Sequence, residues 1–196
     1  MEYRINHING LYFEILSGDK EEYEVTFEDD KSVIYSTKLK VGMYSKLDRH
    51  YLSDIRVMVR YKGRTIKQIN FLSELKNNRV FICFESKALG DTLAWLPYCR
   101  EFAKKYDCKV IVSTFKNFLF EKNYPDLEFV DRGVTVPNII AQFNLGWFWN
   151  DKKEPVNPIL IPLQQTATNI LNLPYSEIIP DIVYEQQERP IQEKYV

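Results

Sequence analysis

The sequence changes character at Asn78, and that change constrains the fold more than any other feature. RVFICFES compresses its apolar residues into one uninterrupted run, the pattern of a strand buried on both faces in a parallel sheet. A Gly-Asp turn follows, and then TLAWLPYCREFAKKYD, in which Leu93, Leu96, Cys99, Phe102 and Ala103 recur near the helical period. Pro97 lies within this segment, which predicts a helix that starts later than Thr92 or is kinked. CKVIVST, from Cys108 to Thr114, reads as a second apolar strand after a reversal at Tyr106 and Asp107. Strand, helix and strand in this spacing form a βαβ unit with a right-handed crossover. Helix or turn is expected over 115–122, a short strand at Leu127 to Val130 and another β segment between Val134 and Leu145. The expected fold class is therefore α/β, with an open Rossmann-like parallel-sheet domain over residues 76–173.

The first 75 residues follow a different period. LYFEIL, YEVTF and SVIYSTKL are separated by the polar turns SGDK and EDDK, which predicts antiparallel strands near 10–16, 22–28 and 32–39. A hairpin follows at 54–61 and 64–69, turning at Lys62 and Gly63. Residues 1–75 are thus expected to form a small β-rich module. Farther on, GWFWNDKKEPVNP, Gly146 to Pro158, reads as a surface connection whose aromatics anchor it. LQQTATNILNL, Leu163 to Leu173, reads as a helix with Ala167, Ile170 and Leu171 on its apolar side. The Pro-punctuated stretch 174–196 reads as an extended tail or a linker to a missing domain.

Charge and residue inventory remove several function classes. The chain carries 26 Lys and Arg against 27 Asp and Glu, without the positive excess of a dedicated nucleic-acid binder. No apolar run reaches the length of a membrane span. Three cysteines, Cys83, Cys99 and Cys108, match no compact zinc pattern, and a reducing, cytoplasmic compartment is expected. His7 and His50 lie outside the expected α/β domain and form no metal motif. Neither GxxxxGK[ST] nor GxGxxG is present, which weakens nucleotide hydrolysis and NAD oxidoreduction.

The chemistry concentrates in FESKALGDTLAWLPY, Phe84 to Tyr98, at the βα loop where parallel sheets bind ligands. Gly90 permits close passage of the chain beside a ligand. Asp91 has two readings, a cap on free helix amides or a general base that accepts a hydroxyl proton. Ser86, Lys87 and Thr92 supply hydrogen-bonding and electrostatic groups nearby, with Lys87 placed to approach a diphosphate leaving group.

ESKALGDTLAWLPY, followed by EFAKKY and CKVIVST and later by NLGWFWND and LQQTATNILNL, resembles the bacterial autotransporter O-heptosyltransferases, relatives of the lipopolysaccharide heptosyltransferases. The likeness extends over about residues 65–173. It implies the N-terminal, acceptor-side half of a two-domain GT-B enzyme that transfers heptose from ADP-heptose to serine hydroxyls of a β-helical autotransporter adhesin. By motif, the resemblance makes Asp91 the catalytic base, with Gly90 shaping its loop and Lys87, Thr92 and Trp95 beside it. It implies no cofactor and no metal site in this chain; iron belongs to a missing C-terminal segment, as does the main ADP site. The expected partners are the adhesin, a C-terminal donor domain or separate subunit, and further copies of the chain. The alternatives are a noncatalytic acceptor-binding or assembly module, or part of a different nucleotide-sugar glycosyltransferase.

Overall fold

The computed structural model describes residues 1–149 and 156–182. Along the chain the strands are β1 (Glu2–His7), β2 (Leu11–Ser17), β3 (Tyr23–Glu28), β4 (Val33–Leu39), β5 (Tyr44–Leu47), β6 (Arg56–Tyr61) and β7 (Arg64–Asn70). A single-turn helix α1 (Phe71–Glu74) leads to β8 (Arg79–Phe84), α2 (Leu89–Tyr106), β9 (Lys109–Ser113), α3 (Asn117–Phe120), β10 (Glu128–Phe129), β11 (Ala141–Leu145) and α4 (Leu163–Leu171).

Two sheets result. One has seven strands in the order β10-β9-β8-β11-β1-β2-β5, and the other four in the order β4-β3-β6-β7. From β10 to β1 the larger sheet is parallel; β2 and β5 extend it in antiparallel pairing. The division expected at residue 75 is therefore not a boundary between sheets. β1, which the sequence analysis did not assign, joins β11 through the His7 N–H, 2.8 Å from the Ile140 carbonyl, and carries the β1-β2-β5 meander into the parallel sheet. β3, β4, β6 and β7 form the separate antiparallel layer, with Lys62 and Gly63 in left-handed conformations at its predicted hairpin turn.

The core lies on one face of the larger sheet. Val80, Ile82 and Phe84 of β8, Val110 and Val112 of β9, and Phe143 of β11 share a continuous apolar cluster with Trp95, Cys99 and Phe102 of α2 and Ile170 of α4. The inner residues of the antiparallel layer, among them Val25, Phe27, Val57 and Val59, join the same cluster. On the opposite face a smaller cluster forms, with Val130, Val136 and Ile139 packed against the buried Phe81, Cys83 and Ile111. No helix among the described residues is long and apolar enough to cross a membrane.

α2 departs from its expected form. It begins at Leu89 and takes in Gly90 and Asp91, so these residues form a first helical turn instead of a preceding loop, and it continues through Pro97 to Tyr106. The proline removes one N–H from the ladder, an effect of about 3 kcal/mol in a helix interior. Trp95, Leu96, Tyr98, Cys99 and Phe102 are all buried on either side of it, and burying each large side chain contributes about 1.5–3 kcal/mol. Packing outweighs the local preference. Of the stretch expected as a tail or linker, residues 174–182 contact α2 and α4 and 183–196 lie outside the described residues: Tyr98 donates to the Ser176 carbonyl at 2.6 Å, and the Gln164 side chain bonds both the N–H and the carbonyl of Ile178.

His7 ends β1 on the core side, 3% exposed, with the rings of Phe71 and Phe143 at 5.7 and 5.1 Å. Burial pushes its imidazole down to about 4, and its Nδ1 has no hydrogen-bond partner among the described residues. Because the folded pKa lies below the unfolded value, the unfolded chain binds the extra proton between these limits, and stability falls as pH drops from about 6.5 toward 4. Relative to a His7→Leu chain, the wild type is expected to lose about 2 kcal/mol between pH 7 and pH 5 in urea unfolding. Parallel pH profiles for the two chains would exclude this role for His7.

Candidate active site

The strand order reverses at the boundary between β8 and β11, the place where open parallel sheets form ligand crevices at their carboxyl edge. The pairing runs in register from Ala141 opposite Val80 to Leu145 opposite Phe84, so the two strands end side by side. Asp91 comes from the helix after β8 and Trp147 from the segment after β11.

Asp91 is 8% exposed in the first turn of α2. It does not cap the helix: the N-cap is Ala88, without a side-chain cap bond. The indole Nε1–H of Trp147 instead donates to Asp91 Oδ2 at 3.1 Å, and Oδ1 accepts no hydrogen bond among the described residues. A hydrogen bond to a buried charged group contributes about 1.5–3 kcal/mol, enough to fix the carboxylate's orientation. One oxygen is therefore held while the other is free for a ligand proton. The carboxylate also faces the positive end of the α2 dipole.

Trp147 is held in turn by its neighbours. Its ring lies 6.1 Å from that of Trp95, which is fully buried, meets Phe84 edge-on at 5.9 Å and donates its own Nε1–H to the Leu163 carbonyl at 2.9 Å. Gly146 brings the chain close: a Cβ there would lie 2.9 Å from the Phe148 ring and 3.2 Å from Glu85 Cβ. Trp147 itself is 50% exposed, so it contacts Asp91 while leaving part of its ring open.

The other predicted residues divide into two groups. Trp95 and Thr92 are structural, since both are sealed from solvent and Thr92 Oγ1 bonds back to the Ala88 carbonyl at 3.2 Å. Ser86 Oγ accepts the Ala88 N–H at 3.1 Å and shapes the loop. Lys87 is exposed, forms no ion pair with a carboxylate among the described residues and lies 5.6 Å from the Phe115 ring centroid. Arg132, which the sequence analysis missed, stacks on that ring at 4.1 Å and faces Glu85 at 3.8 Å. Two cations thus converge on one aromatic ring at the sheet edge. Trp147 was also missed as a site residue; the signal available was a Gly-Trp step directly after a strand.

Among the described residues no group of three or more His, Cys, Asp or Glu side chains is placed to hold a metal ion. Burial pushes the Cys83 and Cys108 thiols up to about 12 and raises that of Cys99 as well, which disfavours the thiolate ligands an iron centre would use. These residues do not fit an iron site.

No family model matches the chain. It is 30% identical over 202 aligned residues to the autotransporter heptosyltransferase Aah of Escherichia coli, covering 96% of this chain and 51% of that protein. It is 24% identical over 174 residues to the autotransporter heptosyltransferase TibC of Escherichia coli O78:H11 strain H10407, covering 86% and 42% respectively. The crystal structure of the iron-containing dodecameric glycosyltransferase TibC superposes with a TM-score of 0.78 at 17% identity, over 93% of this chain and 49% of that one. The TibC complex with ADP-D-β-D-heptose gives 0.75 at 16% identity, over 92% and 48%. The chain is thus similar in sequence to two autotransporter heptosyltransferases and spans about half the length of the curated relatives it matches.

Gly90 provides a check on the helical first turn. A Cβ at this position meets nothing within 4 Å. Gly90→Ala is expected to stabilise the chain by up to about 1 kcal/mol, through helix propensity, and to raise Tm. A lower Tm would show that the turn is not helical as described.

Proposed function

We propose that the chain is the acceptor-side part of a two-domain GT-B glycosyltransferase that transfers heptose from ADP-heptose to serine hydroxyls of an autotransporter adhesin. The observation that carries this reading is the buried Asp91 carboxylate, oriented by Trp147 through one oxygen at the carboxyl edge of the sheet. Homology to two autotransporter heptosyltransferases supports the sugar and the acceptor.

In the proposed reaction the serine hydroxyl hydrogen-bonds Asp91 Oδ1. As the serine oxygen attacks the anomeric carbon of the heptose, its proton passes to the carboxylate. The new bond joins serine Oγ to that carbon, the bond from the carbon to the β-phosphate oxygen breaks, and ADP departs with the electron pair. Trp147 keeps the carboxylate in line during the attack. Lys87, exposed in the loop before α2, would help neutralise the developing diphosphate charge, while most of the ADP site would belong to the second domain. An assembly of several copies, as in the dodecameric TibC, is compatible with this arrangement.

The test combines the chain with its donor-binding half, ADP-heptose and an adhesin passenger domain, and reads heptose-sized mass additions on the intact acceptor. Asp91→Asn is expected to lower turnover by about 10²–10⁴-fold without loss of folding. Binding without transfer in the complete wild-type assembly would replace the catalytic reading with that of an acceptor-binding module.

Trp147→Phe keeps the ring and removes the donor. It is expected to lower kcat by about tenfold, with KM for ADP-heptose little changed, because Trp147 acts through Asp91. A change confined to KM would instead place the indole against the sugar.

A further inference from the structure

We infer that the recess beside β11, where β1 ends, is a binding site for an oxyanion of the phosphate or carboxylate class, held by Arg49 together with His7, His50 and Asn144.

The recess arises from an offset between two strands. β1 ends at His7, opposite Ala141, whereas β11 runs on to Leu145. The turn after β1 and the segment after β5 close around the part of β11 that β1 leaves unpaired. Gly10, at φ +107°, makes this closure possible: a Cβ there would lie 2.3 Å from the Leu47 carbonyl oxygen and 3.3 Å from the Arg49 backbone nitrogen. The same close approach sets the backbone of Arg49 at the recess. The enclosed space is about 20 Å³, room for one oxygen-sized atom of a larger ligand.

The lining selects the charge of what enters. Among the described residues it contains no carboxylate. Arg49 is half-buried, yet it forms no ion pair among the described residues. Asp29 is engaged elsewhere, accepting the Lys31 and Ser32 N–H groups, both at 2.8 Å. A half-buried guanidinium without a counterion is costly, and its forked donors match the paired oxygens of a carboxylate or phosphate.

The uncharged groups point the same way. Asn144 Oδ1 already accepts from the Cys83 thiol at 2.9 Å and from Gln142 Nε2 at 3.3 Å, so what Asn144 has left to offer is its N–H groups. His7 lines the recess, is 3% exposed and has no partner for Nδ1 among the described residues. His50 is exposed at the recess, its ring lying parallel to that of Phe148 at 5.9 Å. Phe148 directly follows Trp147, so the oxyanion would sit beside the segment that orients Asp91. A cation would meet Arg49 unopposed, and a sugar ring exceeds the enclosed space.

The probe is inorganic phosphate, titrated into the chain by isothermal calorimetry at low ionic strength. One saturable site is expected. Arg49→Gln, which removes the charge, and Asn144→Asp, which sets a carboxylate in the recess while keeping its shape, are each expected to weaken binding by about tenfold or more. Arg64→Gln, at an exposed cation of β7, is expected to leave the affinity unchanged, and circular dichroism checks that all variants fold. Competition identifies the source of the anion. Displacement by ADP but not acetate assigns a nucleotide phosphate, displacement by acetate assigns a carboxylate, and displacement by neither leaves free phosphate as the ligand. Absence of saturable binding, an equal loss in Arg64→Gln, or loss in Lys87→Gln with Arg49→Gln unaffected would overturn the inference. Phosphate binding involves no sugar transfer, so the outcome is independent of whether Asp91 supports it.

Discussion

The pairing of β11 with β8 is the constraint on which the rest of the molecule depends. β11 follows β10 in sequence, yet it inserts on the far side of β8 and separates the β8-β9-β10 run from the N-terminal strands. Its two faces hold the register. A slip of one residue would turn Gln142 and Asn144 into the apolar core without partners and expose Phe143. The same slip would move Trp147 along the sheet by roughly 3.3 Å, more than the tolerance of its hydrogen bond to Asp91. Core burial and site geometry are therefore enforced by one set of five residues.

The unequal cover of the two faces follows from how the strands are connected. A single long helix joins β8 to β9, only a one-turn helix joins β9 to β10, and no helix lies between β10 and β11. The large aromatics contributed by these connections, including Trp95, Phe102, Phe120 and Tyr124, enter the same cluster. The opposite face retains an apolar patch built on Phe81, Cys83 and Ile111, beside amides and hydroxyls.

Much of the framework was legible in local pattern, because each element obeys its own period. The continuous apolar run of β8, the alternation in β2, β3 and β6, the turn at Lys62 and Gly63 and the apolar side of α4 all fall where the sequence placed them. β1 escaped notice because EYRINH has few apolar residues, and its place in the sheet depends on a partner more than 130 residues away. The start of α2 was misplaced for a related reason. Gly90 and Asp91 favour a turn locally, and the buried aromatics that hold the helix exert their effect only after folding. At the site, Asp91 stood out by motif, but its helical position allowed a capping role that the structure assigns to no side chain. Arg132 was illegible, and Trp147 was marked only by the Gly-Trp step after β11, because their significance lies in long-range contacts, one with Phe115 and the other with Asp91. The loop aromatics were expected to act as anchors, which describes Trp147 only in part, and 150–155 of that loop lie outside the described residues.

α2 also links the site to the part of the chain that follows α4. Its first turn carries Asp91, while Trp95, one turn along, bonds the Leu163 carbonyl at the start of α4. Tyr98 then bonds both Gln164 and Ser176, and Arg100 pairs with Asp126 and Asp181 while stacking on Tyr124 at 4.2 Å. These contacts come from successive positions on a single helix. A shift of α4 or of residues 174–181 would strain Trp95, and Trp95 supports Trp147, which orients the carboxylate. Pro97 lies in the middle of this chain of contacts and leaves the Leu93 carbonyl without its helical donor, so the segment between Asp91 and Arg100 depends more on side-chain packing than an uninterrupted helix would. The geometry of Asp91 is thus set from two directions, by the register of β11 through Trp147 and by the seating of α4 through Trp95.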